Sequence, residues 1–210
     1  MPINEVLQIE GRFWDIWWVP LEDNVYLHYA VDVTKFKKME EELYRLATTD
    51  SSLNIFNRRY FIQELEKEME RAKRAGCNFS VIMMDIDHFK DVNDRFGHNA
   101  GDLVLKIMTE TIRNRIRKID VLARWGGEEF IILLPETDVE SAAKLAEDLR
   151  KKVNELDIPE VGRITASFGV ACYRQDDTVD SLVKRADDMM YEAKTMGRNC
   201  VRYSSLQSPQ

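Results

Sequence analysis

Three cysteines in 210 residues, Cys77, Cys172 and Cys200, are odd in number, far apart and form no C-x-x-C pair. A disulfide framework and a zinc site are therefore not indicated, and a reducing compartment fits best. No apolar run approaches the roughly 18 residues of a membrane span, and the acidic start through Glu10 is no signal peptide. The chain is expected to be soluble and cytoplasmic, with no membrane segment. Basic charge is short as well: 30 Lys and Arg against 37 Asp and Glu leave a net charge of −7. Such a surface does not coat nucleic acid, and an anionic small molecule needs a local basic cluster or a metal ion. A Walker-type G-x-x-x-x-G-K-[ST] is missing, which disfavours a P-loop NTPase.

What is there suffices for one good-sized domain and a small appendage, with 44% hydrophobic residues. Residues 12–19 and 25–33 alternate apolar and polar around Pro20-Leu21-Glu22-Asp23-Asn24, a pattern that predicts a β-hairpin. One hairpin is marginal in water, so these strands are expected to join a larger sheet or a partner chain. From Thr34 to Ala47, Phe36, Met39, Leu43 and Leu46 recur at spacings of three, four and three, an a/d seam between charged residues. Two heptads hold no coiled coil unaided. The seam reads equally as an amphipathic helix lying on its own domain or as a stalk that pairs two chains.

A helix is expected over residues 60–75, closed by Gly76. Residues 79–87 are an almost unbroken apolar run ending in Asp85-Ile86-Asp87, as in a central strand covered on both faces. The two carboxylates cap the next loop or, on the sharper reading, hold magnesium, whose hard charge suits oxygen ligands. Residues 88–102 are polar and glycine-punctuated and read as a binding loop, followed by a helix over 103–115. Asn93 and Asp102 have the groups to read a base edge or to cap a turn, while a lone His98 is more often structural. Further helices are expected over 139–153 and 179–196, and strands over 164–172 and 200–203.

Between two apolar β-rich runs stands Gly126-Gly127-Glu128-Glu129-Phe130, a glycine pair suited to a hairpin turn. Two like charges about 4 Å apart repel by roughly 4 kcal/mol at an effective dielectric near 20. A cation relieves that repulsion; so does exposure to solvent. The order of elements predicts an α/β (α+β) fold, one central mixed sheet flanked by helices.

Gly126 to Phe130 reads GGEEF, Asp85 to Lys90 reads DIDHFK, 93–102 reads NDRFGHNAGD, 193–199 reads AKTMGRN, and Asn57-Arg58-Arg59 stands at the front. Together these motifs resemble the GGDEF family of diguanylate cyclases over residues 48–203. Residues 29–34, followed by a charged helix, resemble the exit of a PAS sensor domain. The implied organisation is a PAS-like remnant over 1–33, a helical stalk over 34–47 and the cyclase domain over 48–210, with a ferredoxin-like core related to class III nucleotide cyclases.

The resemblance implies a bacterial enzyme that condenses two GTP into cyclic di-GMP and releases two pyrophosphates. By position, Asp85, Glu128, Glu129 and the Ile86 carbonyl are the implied Mg²⁺ set, with Mn²⁺ as a substitute, and Asp85, Glu128 and Glu129 are the catalytic candidates. Asn93 and Asp102 are the implied guanine readers, Lys90, Lys194 and Arg198 the phosphate holders, assisted near Phe89, with His98 beside them. Arg117-Lys118-Ile119-Asp120 matches the family's R-x-x-D site for inhibition by cyclic di-GMP, and Arg71 is a candidate second half. A homodimer is implied, because one site holds one GTP. Ser52, Leu53 and Asn54 depart from the family's D-x-L-T-G-L pattern at the stalk junction. Three other readings remain open: a catalytically silent nucleotide receptor, a dimerisation module, and an enzyme making mixed cyclic dinucleotides.

Overall fold

The computed structural model describes residues 2–22 and 25–204. Two compact units divide between Ala47 and Thr48.

In the first unit, strands β1 (Ile3–Ile9), β2 (Arg12–Glu22) and β3 (Val25–Asp32) form an antiparallel meander. The sequence pattern had indicated β2 and β3; β1 makes the hairpin a three-stranded sheet. Glu10 and Gly11 join β1 to β2 at φ 50° and 77°, the paired positive values of a two-residue turn that matches strand twist. The apolar pair Val6-Leu7 breaks alternation within β1, which hid the strand. Helix α1 (Thr34–Thr48) begins where the Thr34 hydroxyl accepts from the Phe13 amide at 2.8 Å and the Thr34 amide donates to Asp32 at 2.9 Å. Phe36, Met39, Leu43 and Leu46 are 54–68% exposed, so the stripe is uncovered within the single chain.

The second unit starts with β4 (Thr49–Asp50), β5 (Ile55–Asn57) and α2 (Arg58–Ala75). Asn57 caps α2 by accepting from the Tyr60 amide, and Gly76 ends it in the left-handed region. Then come β6 (Ser80–Ile86), α3 (Phe89–Phe96), α4 (His98–Arg113), β7 (Val121–Gly126) and β8 (Glu129–Leu134). After α5 (Val139–Glu155), β9 (Asp157–Ile158) and β10 (Gly162–Arg163) form a small separate hairpin. Last are β11 (Ala166–Cys172), α6 (Val179–Thr195) and β12 (Val201–Tyr203). The main sheet has seven strands in the order β12-β11-β6-β8-β7-β5-β4, mixed in direction.

Alternation along these strands supplies two cores. Ile82, Met84, Phe130, Ile132 and Phe168 pack with α3, α4 and α5, whereas Val81, Met83, Ile131 and Leu133 pack with α2 and α6. Every residue of β6 is therefore buried, which is why it reads as a continuous apolar run. Helix α6 approaches β11 backbone to backbone: a Cβ on Gly169 would stand 2.1 Å from the Ala186 carbonyl oxygen and 2.2 Å from the Met190 amide nitrogen.

The expected binding loop over 88–102 is instead helical. Phe89 and Val92 bury one face of α3 against the first core, and Gly97 at φ 82° turns the chain directly into α4, which starts at His98 rather than Leu103. Polar composition had concealed two short amphipathic faces.

Candidate active site

The site forms where β6 ends beside the β7–β8 hairpin. Pairing places Asp85 opposite Glu129 on one side and Ser167 on the other, while Gly126 pairs with Glu129 to leave Gly127 and Glu128 as the two turn residues. Gly127 takes a positive φ of 39°, which glycine allows without Cβ strain. Asp85, Ile86, Phe89, Lys90, Glu128, Lys194 and Arg198 line one cavity of about 230 Å³ together with Asp87, His88 and Asp91. Seven of the candidates are thus brought together from three separate parts of the chain. Among the described residues, no group of three or more His, Cys, Asp or Glu side chains is assembled at metal-binding spacing. The carboxylate residues lining the cavity are Asp85, Asp87, Asp91 and Glu128, and Ile86 lines it beside them.

Electrostatics favour a cation there. Burial pushes the Asp85 carboxyl above the usual range, and nearby Glu128 and Asp87 add to this; Lys194 opposes it, its ammonium 2.8 Å from Oδ2. Burial and then the charge of Asp85 raise the Glu129 carboxyl in the same way. Lys194 supplies a positive charge beside this group of acids.

Asp87, the second carboxylate of the strand end, is spoken for. It accepts from Thr165 Oγ1 at 2.6 Å, Ser167 Oγ at 2.7 Å and the Asn199 amide at 3.0 Å, a full set of structural bonds. Asp87 therefore caps no part of the loop that follows it; its bonds tie β6 to residues 165, 167 and 199, while both Asp85 and Asp87 line the cavity.

Asn93, His98 and Asp102 lie apart from the lining of this cavity, on α3 and α4. Asn93 rests on Gly101, where a Cβ would come within 2.1 Å of its Oδ1. The exposed Asp102 follows directly, so Gly101 sets how closely Asn93 and the start of α4 approach.

An arginine not singled out in the sequence ties the hairpin to the start of the domain. Arg124 Nε donates to the Gly127 carbonyl at 2.8 Å, and its Nη1 reaches Asp50 Oδ2 at 3.1 Å and Ser52 Oγ at 3.0 Å. Burial opposes ionisation of Asp50, but bonds from Ser52, Arg124 and the Leu53 amide outweigh it and hold its pKa below the usual range. Asn54, where the family pattern has glycine, takes a left-handed φ of 53°, a region asparagine tolerates better than most residues.

Arg117 and Asp120 meet as their spacing suggested: the Arg117 amide donates to Asp120 Oδ2 at 2.7 Å, and Nε lies 3.5 Å from the same oxygen. The Asp120 side chain is buried, and its Oδ1 has no hydrogen-bond partner among the described residues. Both residues line a hollow of about 400 Å³ with Thr49, Ile55 and Arg113. Arg71 lines a different hollow with Ile119 and Pro135 and pairs with Glu68 and Glu136. The two are neighbours through Glu136 and Thr137, whose hydroxyl accepts from Arg117 Nη2 at 2.7 Å.

A mixed sheet flanked by helices, with acids at a strand end facing Lys90, Lys194 and Arg198 across one cavity, defines a site suited to a polyphosphate beside hard-oxygen donors. The family model for the diguanylate cyclase GGDEF domain matches residues 47–200. The chain belongs to that family. It is 38% identical over 179 residues to the diguanylate cyclase DgcM of Escherichia coli K12, covering 85% of this chain and 44% of that protein. The coiled coil and GGDEF domain of DgcB from Caulobacter crescentus, solved in complex with c-di-GMP, superposes with a TM-score of 0.78 at 31% identity, over 82% of this chain and 93% of that one. An active GGEEF domain of a Vibrio cholerae diguanylate cyclase gives 0.69 at 37% identity, over 72% and 98%. The chain spans less than half the length of DgcM, and no described helix is long and apolar enough to cross a membrane.

Proposed function

We propose that this chain condenses two molecules of GTP into cyclic di-GMP, releasing two pyrophosphates. The observation that carries the reading is the shared cavity of Asp85, Ile86, Glu128, Lys90, Lys194 and Arg198. In each half-reaction a 3′-hydroxyl oxygen bonds to the α-phosphorus of the other nucleotide, the bond from that phosphorus to pyrophosphate breaks, and the hydroxyl proton is lost.

Asp85, Glu128 and the Ile86 carbonyl are the residues to hold Mg²⁺, or Mn²⁺ in its place, with Glu129 beside them as a further ligand or as base. When bound, the ion neutralises triphosphate charge and eases hydroxyl deprotonation. Lys90, Lys194, Arg198 and the amides near Phe89 bind and orient the phosphates, so most of the protein's contribution is positioning and charge stabilisation. Asn93 and Asp102, with His98 close by on α4, read the base. An acid at 102 accepts from guanine N1 and N2, donors that adenine lacks, and so favours GTP.

One cavity serves one GTP, so two chains face each other as a homodimer. The exposed stripe of Phe36, Met39, Leu43 and Leu46 is the seam that pairs them, and the sheet before it is the remnant of a PAS-like sensor. Arg117 and Asp120, with Arg71 nearby, bind cyclic di-GMP as an inhibitor; that Arg117 and Asp120 line one hollow of about 400 Å³ supports this. Incubation with GTP alone and with mixed GTP and ATP, followed by mass analysis of the denatured supernatant, tests the substrate reading. Cyclic di-GMP in both samples supports it; a mixed dinucleotide as the main product of the second sample contradicts the role given to Asp102.

A further inference from the structure

Three successive residues after α6 adopt positive φ: Gly197 at 112°, Arg198 at 64° and Asn199 at 45°. For glycine this costs little, but for arginine the left-handed region is disfavoured, and such backbone persists only where its surroundings over-determine it. Arg198 is also the residue of this turn that lines the active-site cavity.

The restraints converge on Asn199. Its amide donates to Asp87 Oδ2 at 3.0 Å, and its side-chain Oδ1 accepts from Arg150 Nη1 at 2.8 Å. Asp87 is itself fixed by Thr165 and Ser167. Arg150 projects from α5, on the face of the sheet opposite α6, and is aimed by two bonds of 2.8 Å to Glu147. The Arg198 amide donates to the Ala193 carbonyl at 3.0 Å, and the Cys200 carbonyl accepts from Phe168 at 3.0 Å, which anchors both ends of the turn. Arg150 does not line the cavity.

We propose that Arg150 is a positioning residue: with Asp87 it clamps Asn199 from two sides and holds the Gly197–Asn199 turn in the one backbone shape that presents Arg198 to the phosphates. The inference rests on the reading of Arg198 as a phosphate holder. Asp87 acts through the backbone and Arg150 through the side chain of the same residue, so the turn is gripped across the sheet edge by two different layers. Without Arg150, Asn199 keeps only its amide bond, and Arg198 samples orientations away from the cavity.

The test uses the full chain with Mg²⁺ and α,β-methylene GTP, which cannot transfer its α-phosphoryl group, so affinity is read without turnover. Dissociation constants are compared for the parent, Arg150→Ala, Arg198→Ala and the double variant, alongside thermal melts. Arg150→Ala is expected to weaken binding about fivefold, the size of one loosened charge-assisted contact, with little change in melting temperature. The double variant is expected to match Arg198→Ala within about twofold, since a brace has no value once the braced group is gone. A purely structural role gives no such coupling. Effects that multiply in the double variant, or an Arg150→Ala affinity equal to the parent's, overturn the brace. Failure of the parent to bind, or an Arg198→Ala affinity equal to the parent's, overturns the phosphate reading and the brace with it. Should Arg150→Ala prove unstable, Arg150→Gln is read in the same way.

Discussion

The ammonium of Lys194, near the end of α6, lies 2.8 Å from Oδ2 of Asp85 at the end of β6. The two opposite charges partly neutralise one another across the edge of the cavity. Burial raises the Asp85 pKa despite this bond. An acid raised in the fold binds its proton more tightly there than in the unfolded chain, so its charged form costs stability at neutral pH. Asp85→Asn is therefore expected to melt, without metal, at the parent's temperature or above, and to lose activity by about 100-fold or more. Melts and product assays on one preparation check both; a variant that is less stable and still active contradicts the assignment.

Arg124 links the Gly127 carbonyl to Asp50 and Ser52. Its removal frees the turn that carries Glu128. Arg124→Ala is expected to lower kcat about tenfold, as loss of a charged hydrogen-bonded restraint does, and Ser52→Ala to lower it by less. Steady-state rates with melting temperatures separate this from general unfolding.

Two glycines make opposite kinds of contact. At Gly169 a methyl meets the main chain of α6, which cannot yield without moving the helix, so Gly169→Ala is expected to cost about 3 kcal/mol. At Gly101 the closest obstacle is the Asn93 side chain, which rotates away, and the Phe89 ring at 3.2 Å has only to give by a few tenths of an ångström. Gly101→Ala is expected to cost about 1 kcal/mol and to weaken guanine nucleotide binding by displacing Asn93. Denaturant titrations and nucleotide affinities distinguish the two.

The buried Asp177 and the partly exposed Arg185 form an ion pair at 2.6 Å where β11 leads into α6. Burial opposes ionisation of Asp177, but Arg185, the Arg174 amide and Ser181 together depress its pKa. A depressed acid stabilises the fold above its unfolded pKa of about 4, and that stability is lost as pH falls through the folded value. Asp177→Asn is expected to cost about 3 kcal/mol at neutral pH, with the gap from the parent closing in acid. Urea midpoints across pH 3–7 check the sign.

How far the structure was legible in sequence depended on the range of the contacts. Gly76 as a helix stop and the buried β6 run are local patterns found where their chemistry indicated, whereas the hairpin turn sits one residue on from the glycine pair, at Gly127 and Glu128. Helix α3 was hidden because the residue before it, His88, takes a positive φ and makes no side-chain cap, and because only Phe89 and Val92 are buried along it. The separate fates of Asp85 and Asp87 were not legible. The partners that claim Asp87 are Thr165, Ser167 and Asn199, 78, 80 and 112 residues away. Arg124 is hidden for the same reason, since Asp50 lies 74 residues before it.

Glu128 is the one turn carboxylate that shares the cavity with Asp85, Lys194 and Arg198. The most direct test is therefore incubation of the parent and of Glu128→Ala with GTP and Mg²⁺, with products identified by mass after denaturation to release anything bound. Cyclic di-GMP from the parent and none from the variant is the expected result. Equal product from both, or a parent that makes none while binding GTP and Mg²⁺, would contradict catalysis at this site.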